Sequence, residues 1–445
     1  MAQRSLHRIV NVTPSARRLT DSLRHIGYEF VTAVADLVDN SVAAGARNID
    51  VDIQFAGTRS SVVIADDGVG MTERELNEAL RFGTRRTYQR GDLGRFGLGL
   101  KTASISQCRR LTVVTRHSPA YARITTRCLD LDYVASTDRW EIIEPPHSEA
   151  VEQAERWLLD GPGTVVIWQL LDRVLPEERP DGGWARRRLE SLTRRTAEYL
   201  AMVFHRFLEG ETARGPLTIS VSGVKVTPWN PFAPGEDRLT LPPKRFEVAV
   251  GGDVSEVWLH SYVLPPRNRF TTPAEFERLS GPLKWNRQQG LYVYRADRLI
   301  QSGGWSGIRA ADEHTKLARA AVDFDTDLDP VFRVNVAKMR VTLPPELRSL
   351  MEPPIQDLCH RAESIYRNEP SDGVGSVAAA TSEPRGGTGD GPAAPSPGRE
   401  PPRPVEGAGL ALRAAAMEVG EYEAFGKIME RVRQRSPQIA SALGW

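Results

Sequence analysis

Residues 366–409 read YRNEPSDGVGSVAAATSEPRGGTGDGPAAPSPGREPPRPVEGAG, with almost no large apolar side chain. Such a segment cannot bury enough surface to offset the entropy of ordering it, so the sequence predicts a disordered Pro/Gly/Ala linker there. Any packed body must therefore be built before residue 366. The chain beyond the linker, 410–445, contains LALRAAAMEVGEYEAFGKIMERVRQRS and suits one helical segment docked on the body or on a partner. The stretch before the linker is too long for a single core. Its composition divides it into residues 1–180, where helical and strand-like patterns alternate, and 185–365. The latter opens with the basic helix WARRRLESLTRRTAEYLAMVFHRFLEG and continues through the strand-like runs LTISVSG, FEVAVGG, VWLHSYVL and GLYVYR.

A formal net charge of +1 gives no global attraction to nucleic acid or an anionic membrane. DNA contact would need a local patch, for which ARRRLESLTRR and RNRFTTPAEFERLSGPLKWNRQQ are the candidates. Three scattered cysteines, Cys108, Cys128 and Cys359, imply no disulfide framework and a reducing compartment. With no apolar run near 18 residues and no apolar leader, the expected location is cytoplasmic, with no membrane partner.

Four segments carry the chemistry. In YEFVTAVADLVDNSVAAGA, residues 28–46, Val31, Val34, Leu37 and Val38 form an apolar helical stripe. Asp36, Asp39 and Asn40 share the opposite face. An acid one turn from a carboxamide can take a proton from water while the amide oxygen ligates Mg²⁺; a solvated polar face is the alternative. Next, SVVIADDGVGMTERELNEAL is a short strand ending in Asp66-Asp67-Gly68-Val69-Gly70-Met71, then a helix with an acidic first turn. Asp66 can accept from an exocyclic amine, and Gly68 and Gly70 admit a flat base; a plain Asp-Gly turn is the alternative.

The third segment is RFGTRRTYQRGDLGRFGLGLKTASISQ. It fails the P-loop pattern, because Leu100 separates Gly99 from Lys101, and it fails G-x-G-x-x-G, because Thr102 stands at the third glycine position. Gly94, Gly97 and Gly99 still allow backbone N–H groups to wrap phosphates, with Lys101 in the first turn of the helix beyond. The fourth is GPGTVVIWQLLDR, where Thr164 begins a strand.

In this order the segments resemble the GHKL superfamily, named for gyrase, the heat-shock chaperone, histidine kinase and MutL. ADLVDNS looks like its N-box, DDGVGM its first glycine box, GRFGLGLKTAS its second and GTVVIW its third, over residues 20–172. The resemblance implies an α+β protein whose first domain is a Bergerat-fold ATP-binding α/β sandwich, a mixed sheet with helices on one face and a mobile lid. It further implies ATP and Mg²⁺ as ligands. Asn40 would hold the metal, Asp66 would read the adenine amine with Thr164 behind it, and Gly68, Gly70 and Met71 would line the base. The lid residues Gly94, Arg95, Phe96, Gly97, Leu98, Gly99 and Leu100 would wrap the phosphates, with Lys101 nearby. Asp67 stands where many members carry Asn.

The departure is Asp36, where hydrolysing branches carry Glu as general base. Asp is shorter by one methylene, about 1.5 Å, so turnover is expected to be weak. The resemblance also implies an S5-like transducer domain at 185–365, with Lys338 in FRVNVAKMRVTL as the candidate lysine for the γ-phosphate. WNPFAP and GLYVYRADRLI resemble the second domain of microrchidia (MORC) ATPases, which implies an ATP-dependent homodimer acting as a clamp or remodeller, possible nucleic-acid contact and an unidentified protein partner. The competing expectations are a nucleotide-sensing scaffold with little hydrolysis and a protein kinase of the histidine-kinase type.

Overall fold

Strand alternation decides where the first core lies. The computed structural model of the 445-residue chain describes residues 13–25, 27–82, 99–117, 123–145, 148–175, 181–250, 252–334, 341–367 and 422–435. Seven strands, β1 (Asn48–Gln54), β2 (Ser61–Asp66), β3 (Arg110–Arg116), β4 (Thr125–Asp130), β5 (Gly163–Gln169), β6 (Thr218–Val221) and β7 (Val224–Lys225), form a sheet in the order β4-β3-β5-β2-β1-β6-β7. It is mixed: β6 runs parallel to β1, and the other neighbours are antiparallel. Val62, Ile64, Val113, Val166 and Trp168 point into the main core. Their alternates Ala65, Val114, Val165 and Ile167 enter a smaller cluster on the other face, as a two-residue period requires.

Helices α1 (Ala16–Leu23) and α5 (Leu131–Thr137) pack on each other, and the main face is covered by α2 (Phe30–Ala43), α4 (Gly99–Ile105) and α7 (Gly183–Val203). The opposite face is not bare, as helices on one side alone would leave it. Helix α6 (Glu149–Trp157) lays Val151 and Ala154 over β3 and β5. After β2, α3 (Glu73–Ala79) starts at a capping box in which Thr72 and Glu75 satisfy each other's backbone amides. The first sheet also reaches past residue 180, since β6 and β7 come from the stretch that composition assigned to a second domain.

A second sheet runs β12-β11-β13-β10-β8, with β9 on β10. Its strands are β8 (Leu239–Thr240), β9 (Lys244–Val250), β10 (Asp253–Val263), β11 (Gly290–Arg295), β12 (Arg298–Gln301) and β13 (Ala318–Phe324). A long helix of residues Pro345–Arg367 buries Leu347, Met351, Ile355, Leu358 and Ala362 against it, so helix continues to Arg367 where the linker was expected to begin. The β11–β12 hairpin turns at Ala296 and Asp297, both with positive φ (46° and 68°), as tight hairpin turns favour. From this hairpin Tyr294 and Leu299 enter the main core, alongside Phe204 and Phe207.

Most of the linker and the Lys338 segment lie outside the described residues. A separate C-terminal unit holds a helix at Tyr422–Arg435. Among the described residues no helix is long and apolar enough to cross a membrane.

Candidate nucleotide site

β2 ends at Asp66, 5% exposed, and its carboxylate is tightly held. Ser41 of α2 donates its hydroxyl to Oδ2 at 2.8 Å, and the Gly68 amide donates to Oδ1 at 3.0 Å. On the neighbouring strand Thr164 is the register partner of Asp66. Burial outweighs these bonds and pushes the Asp66 carboxyl up to about 6. The sign follows: a folded value above the unfolded one contributes stability that is complete in acid and lost as pH rises through about 6. The ionised acceptor is thus poised just above its midpoint at neutral pH. If that anion reads an amine, affinity for an adenine nucleotide should fall about tenfold from pH 7 to pH 5. Titrations with a non-hydrolysable analogue check this, and Asp66→Asn should flatten the profile.

Behind Asp66 a threonine hydroxyl acts as a hub. Thr115 Oγ1 donates to the Gly163 carbonyl at 2.9 Å, accepts from the Met71 amide at 2.9 Å and lies 3.2 Å from the Thr164 hydroxyl. These bonds fasten the first glycine box to β3 and β5. Gly70 has φ +64°, and a Cβ there would fall 1.9 Å from the Arg116 carbonyl. The glycine is therefore demanded by the backbone of β3, whatever ligand the loop meets. Asp67 caps a different junction: it accepts from the Arg47 and Asn48 amides and from the Asn48 side chain. Burial works against its charge, but the Asn48 and Arg47 bonds prevail and hold the carboxyl below its ordinary value.

On α2 the polar residues are not a solvated face. Asp36 and Asp39 are 2% and 0% exposed, and Asn40 is half-buried. The Tyr28 hydroxyl donates to Asp36 Oδ2 at 3.0 Å. A Cβ on Gly99 would fall 2.6 Å from the same oxygen, so the start of α4 presses directly on this carboxylate. Asp39 points the other way. The Arg298 Nε of β12 stands 3.1 and 3.0 Å from its two oxygens. Asp39 is thus an ion-pair partner of the second sheet.

Lys101 departs from the phosphate-facing position expected for it. It is buried, donates to the Ala79 carbonyl at 2.7 Å, and its ammonium is pushed down to about 8 by desolvation. Leu100 and Met71 pack against the main core. Gly94, Arg95, Phe96, Gly97, Leu98 and Lys338 lie outside the described residues. Sequence reasoning missed Tyr28, Ser41, Thr115 and Arg298. Ser41 follows Asn40 in the N-box and could have been noticed, whereas a mid-strand Thr115 carries no signal.

The donor chemistry fits Mg²⁺. Asn40 makes no side-chain hydrogen bond among the described residues, so its hard amide oxygen is available one turn from the Asp36 carboxylate. No group of three or more acidic, His or Cys ligands occurs among the described residues. Mg²⁺ needs none, because it is usually held by one or two protein oxygens together with phosphates and water.

Residues 28–161 match the family described as "Histidine kinase-, DNA gyrase B-, and HSP90-like ATPase". This part of the chain is a GHKL ATPase domain. It is similar to ATPase morc-1 of Caenorhabditis elegans, 34% identical over 22% of this chain and 11% of that protein. It is also similar to the DNA mismatch repair protein MutL of Rhodopseudomonas palustris (strain HaA2), 38% identical over 20% of this chain and 15% of the relative. MutL of Halobacterium salinarum is 39% identical over 23% of this chain and 17% of the relative. The match thus spans under a fifth of these relatives' own lengths. The sheet that carries Asp66 extends beyond the matched residues, since Thr164 on β5 is its register partner.

Proposed function

We propose that this chain is an Mg²⁺-dependent ATPase whose nucleotide cycle closes a lid, pairs two copies and gates a clamp or remodelling activity on DNA. The observation that carries the reading is the Ser41–Asp66 hydrogen bond at 2.8 Å. It joins the helix bearing Asp36 and Asn40 to the carboxylate that would read adenine, giving one rigid pocket wall. In this reading Asp36 takes a proton from the attacking water, Asn40 holds Mg²⁺, and Asp66 with Thr164 recognises the base. The lid glycines Gly94, Gly97 and Gly99 wrap the phosphates. The second sheet, β8 to β13, with the chain that follows it acts as an S5-like transducer whose Lys338 reaches the γ-phosphate. Bound Mg²⁺ would supply charge neutralisation at the phosphates. Steady-state ATP turnover, with and without duplex DNA, tests the proposal; no turnover despite nucleotide binding would count against it.

DNA as the partner is supported by the outer face of α7, where Arg186, Arg187, Arg188, Arg194 and Arg195 are exposed above a buried stripe of Ala185, Leu189 and Leu192. Replacing Arg187 and Arg188 by Ala should weaken duplex binding on every sequence. It should also reduce the slope of log affinity against log salt by about 2, as fluorescence anisotropy would measure. A second reading, a nucleotide-sensing scaffold with little hydrolysis, is favoured by the Tyr28 bond to Asp36. That bond occupies a carboxylate oxygen a base would use. ATP binding with turnover no greater than in Asp36→Ala would select it.

A further inference from the structure

Asn40 sits between two pinned neighbours. Ser41 is tied to Asp66 of the first sheet at 2.8 Å. Asp39 is tied to Arg298 of the second sheet, in a pair whose side chains are 0% and 1% exposed. Successive residues of a helix are about 100° apart. Any rotation of α2 that lets Asp39 find water therefore turns Asn40 with it. The N-cap Glu29 makes no side-chain cap bond, so packing and side-chain bonds, these two and that of Tyr28 to Asp36 among them, set the rotation of the helix. The far anchor is itself fixed. Arg298 also donates to the Leu299 carbonyl, and its hairpin neighbour Arg295 is bound by Asp329 with two hydrogen bonds.

We propose that Arg298 is a positioning residue of the nucleotide site, holding through Asp39 the rotation of α2 that presents the Asn40 amide oxygen to Mg²⁺. This rests on the reading of Asn40 as the metal-holding residue. Arg298 touches neither nucleotide nor metal. It belongs to a strand more than 250 residues away from its partner in sequence, with a separation of 259. The proposal makes the second sheet part of the metal site's geometry while leaving base reading by Asp66 independent of it.

The test compares binding of a non-hydrolysable ATP analogue in EDTA and in excess MgCl₂ by calorimetry, alongside melting temperature. The variants are Arg298→Lys and the double Asp39→Asn/Arg298→Met. The double variant removes both charges and so leaves no buried ion unpaired. The expected result is an unchanged metal-free affinity, within about twofold, and a loss of tenfold or more in the Mg²⁺-dependent tightening (about 1.4 kcal/mol). Arg298→Lys, which keeps the charge but not the planar fork, should recover part of that tightening. Full tightening in the double variant overturns the proposal. So does an equal loss of affinity with and without metal, which marks a merely structural pair. A wild type that binds the analogue without any Mg²⁺ effect removes the Asn40 reading and this inference with it. Absence of binding under both conditions overturns the ATP-site proposal itself.

Discussion

Replacing Asp36 by Ala should lower steady-state ATP turnover about 10²- to 10⁴-fold, the range supplied by a positioned general base, while nucleotide affinity changes about threefold or less. The geometry makes the residue hard to replace. Its carboxylate receives the Tyr28 hydroxyl at 3.0 Å and lies against Gly99 at the start of α4. Asp39, one turn along, is committed to Arg298. Tyr28 itself is no substitute, because burial and then the neighbouring Asp36 charge push its phenol far above the usual range. Lengthening is constrained too. In Asp36→Glu the extra methylene must thread past Gly99, so turnover should not exceed wild type unless α4 shifts. Turnover of Asp36→Ala equal to wild type would remove Asp36 from the chemistry.

The largest stability effect is expected at Arg295. Its guanidinium forks onto Asp329 at 2.6 and 2.7 Å, with both side chains 2% exposed. Breaking one side of a buried pair strands the other charge in a medium that cannot solvate it, at a cost of about 3–5 kcal/mol. Arg295→Met should show that loss in urea denaturation. Arg295→Met combined with Asp329→Leu should recover most of it, since two apolar groups leave nothing uncompensated. A single-variant loss below about 1 kcal/mol would mean that water reaches the pair.

What the sequence makes readable here is local. The apolar strand runs SVVIAD, GTVVIWQ and GLYVYR and the α2 stripe are each read within one element, and each forms the strand or helix expected. Motif order picks out Asp66, Asn40 and Asp36 as candidates, and the structure puts Asp36 and Asn40 on one helix that Ser41 bonds to Asp66. The restraints that fix them are not legible. Tyr28 to Asp36, Ser41 to Asp66 and Arg298 to Asp39 join separate elements, and no spacing announces them. Lys101 shows the opposite failure. A lysine in the first turn of a helix after glycines suggests an anion, yet its side chain turns inward to the Ala79 carbonyl. The first-sheet boundary was misplaced for a related reason: β6 reads as a strand, but nothing in TISV says that its partner is β1, far upstream.

That parallel pairing bears on how the protein is made. During synthesis β1 emerges early, and one of its edges stays open until residues 218–221 leave the ribosome. An unpaired strand edge is a template for wrong partners. A chain cut near residue 180 would keep most of the ATP-site residues yet carry that edge permanently. In the longer chain β6 closes that edge.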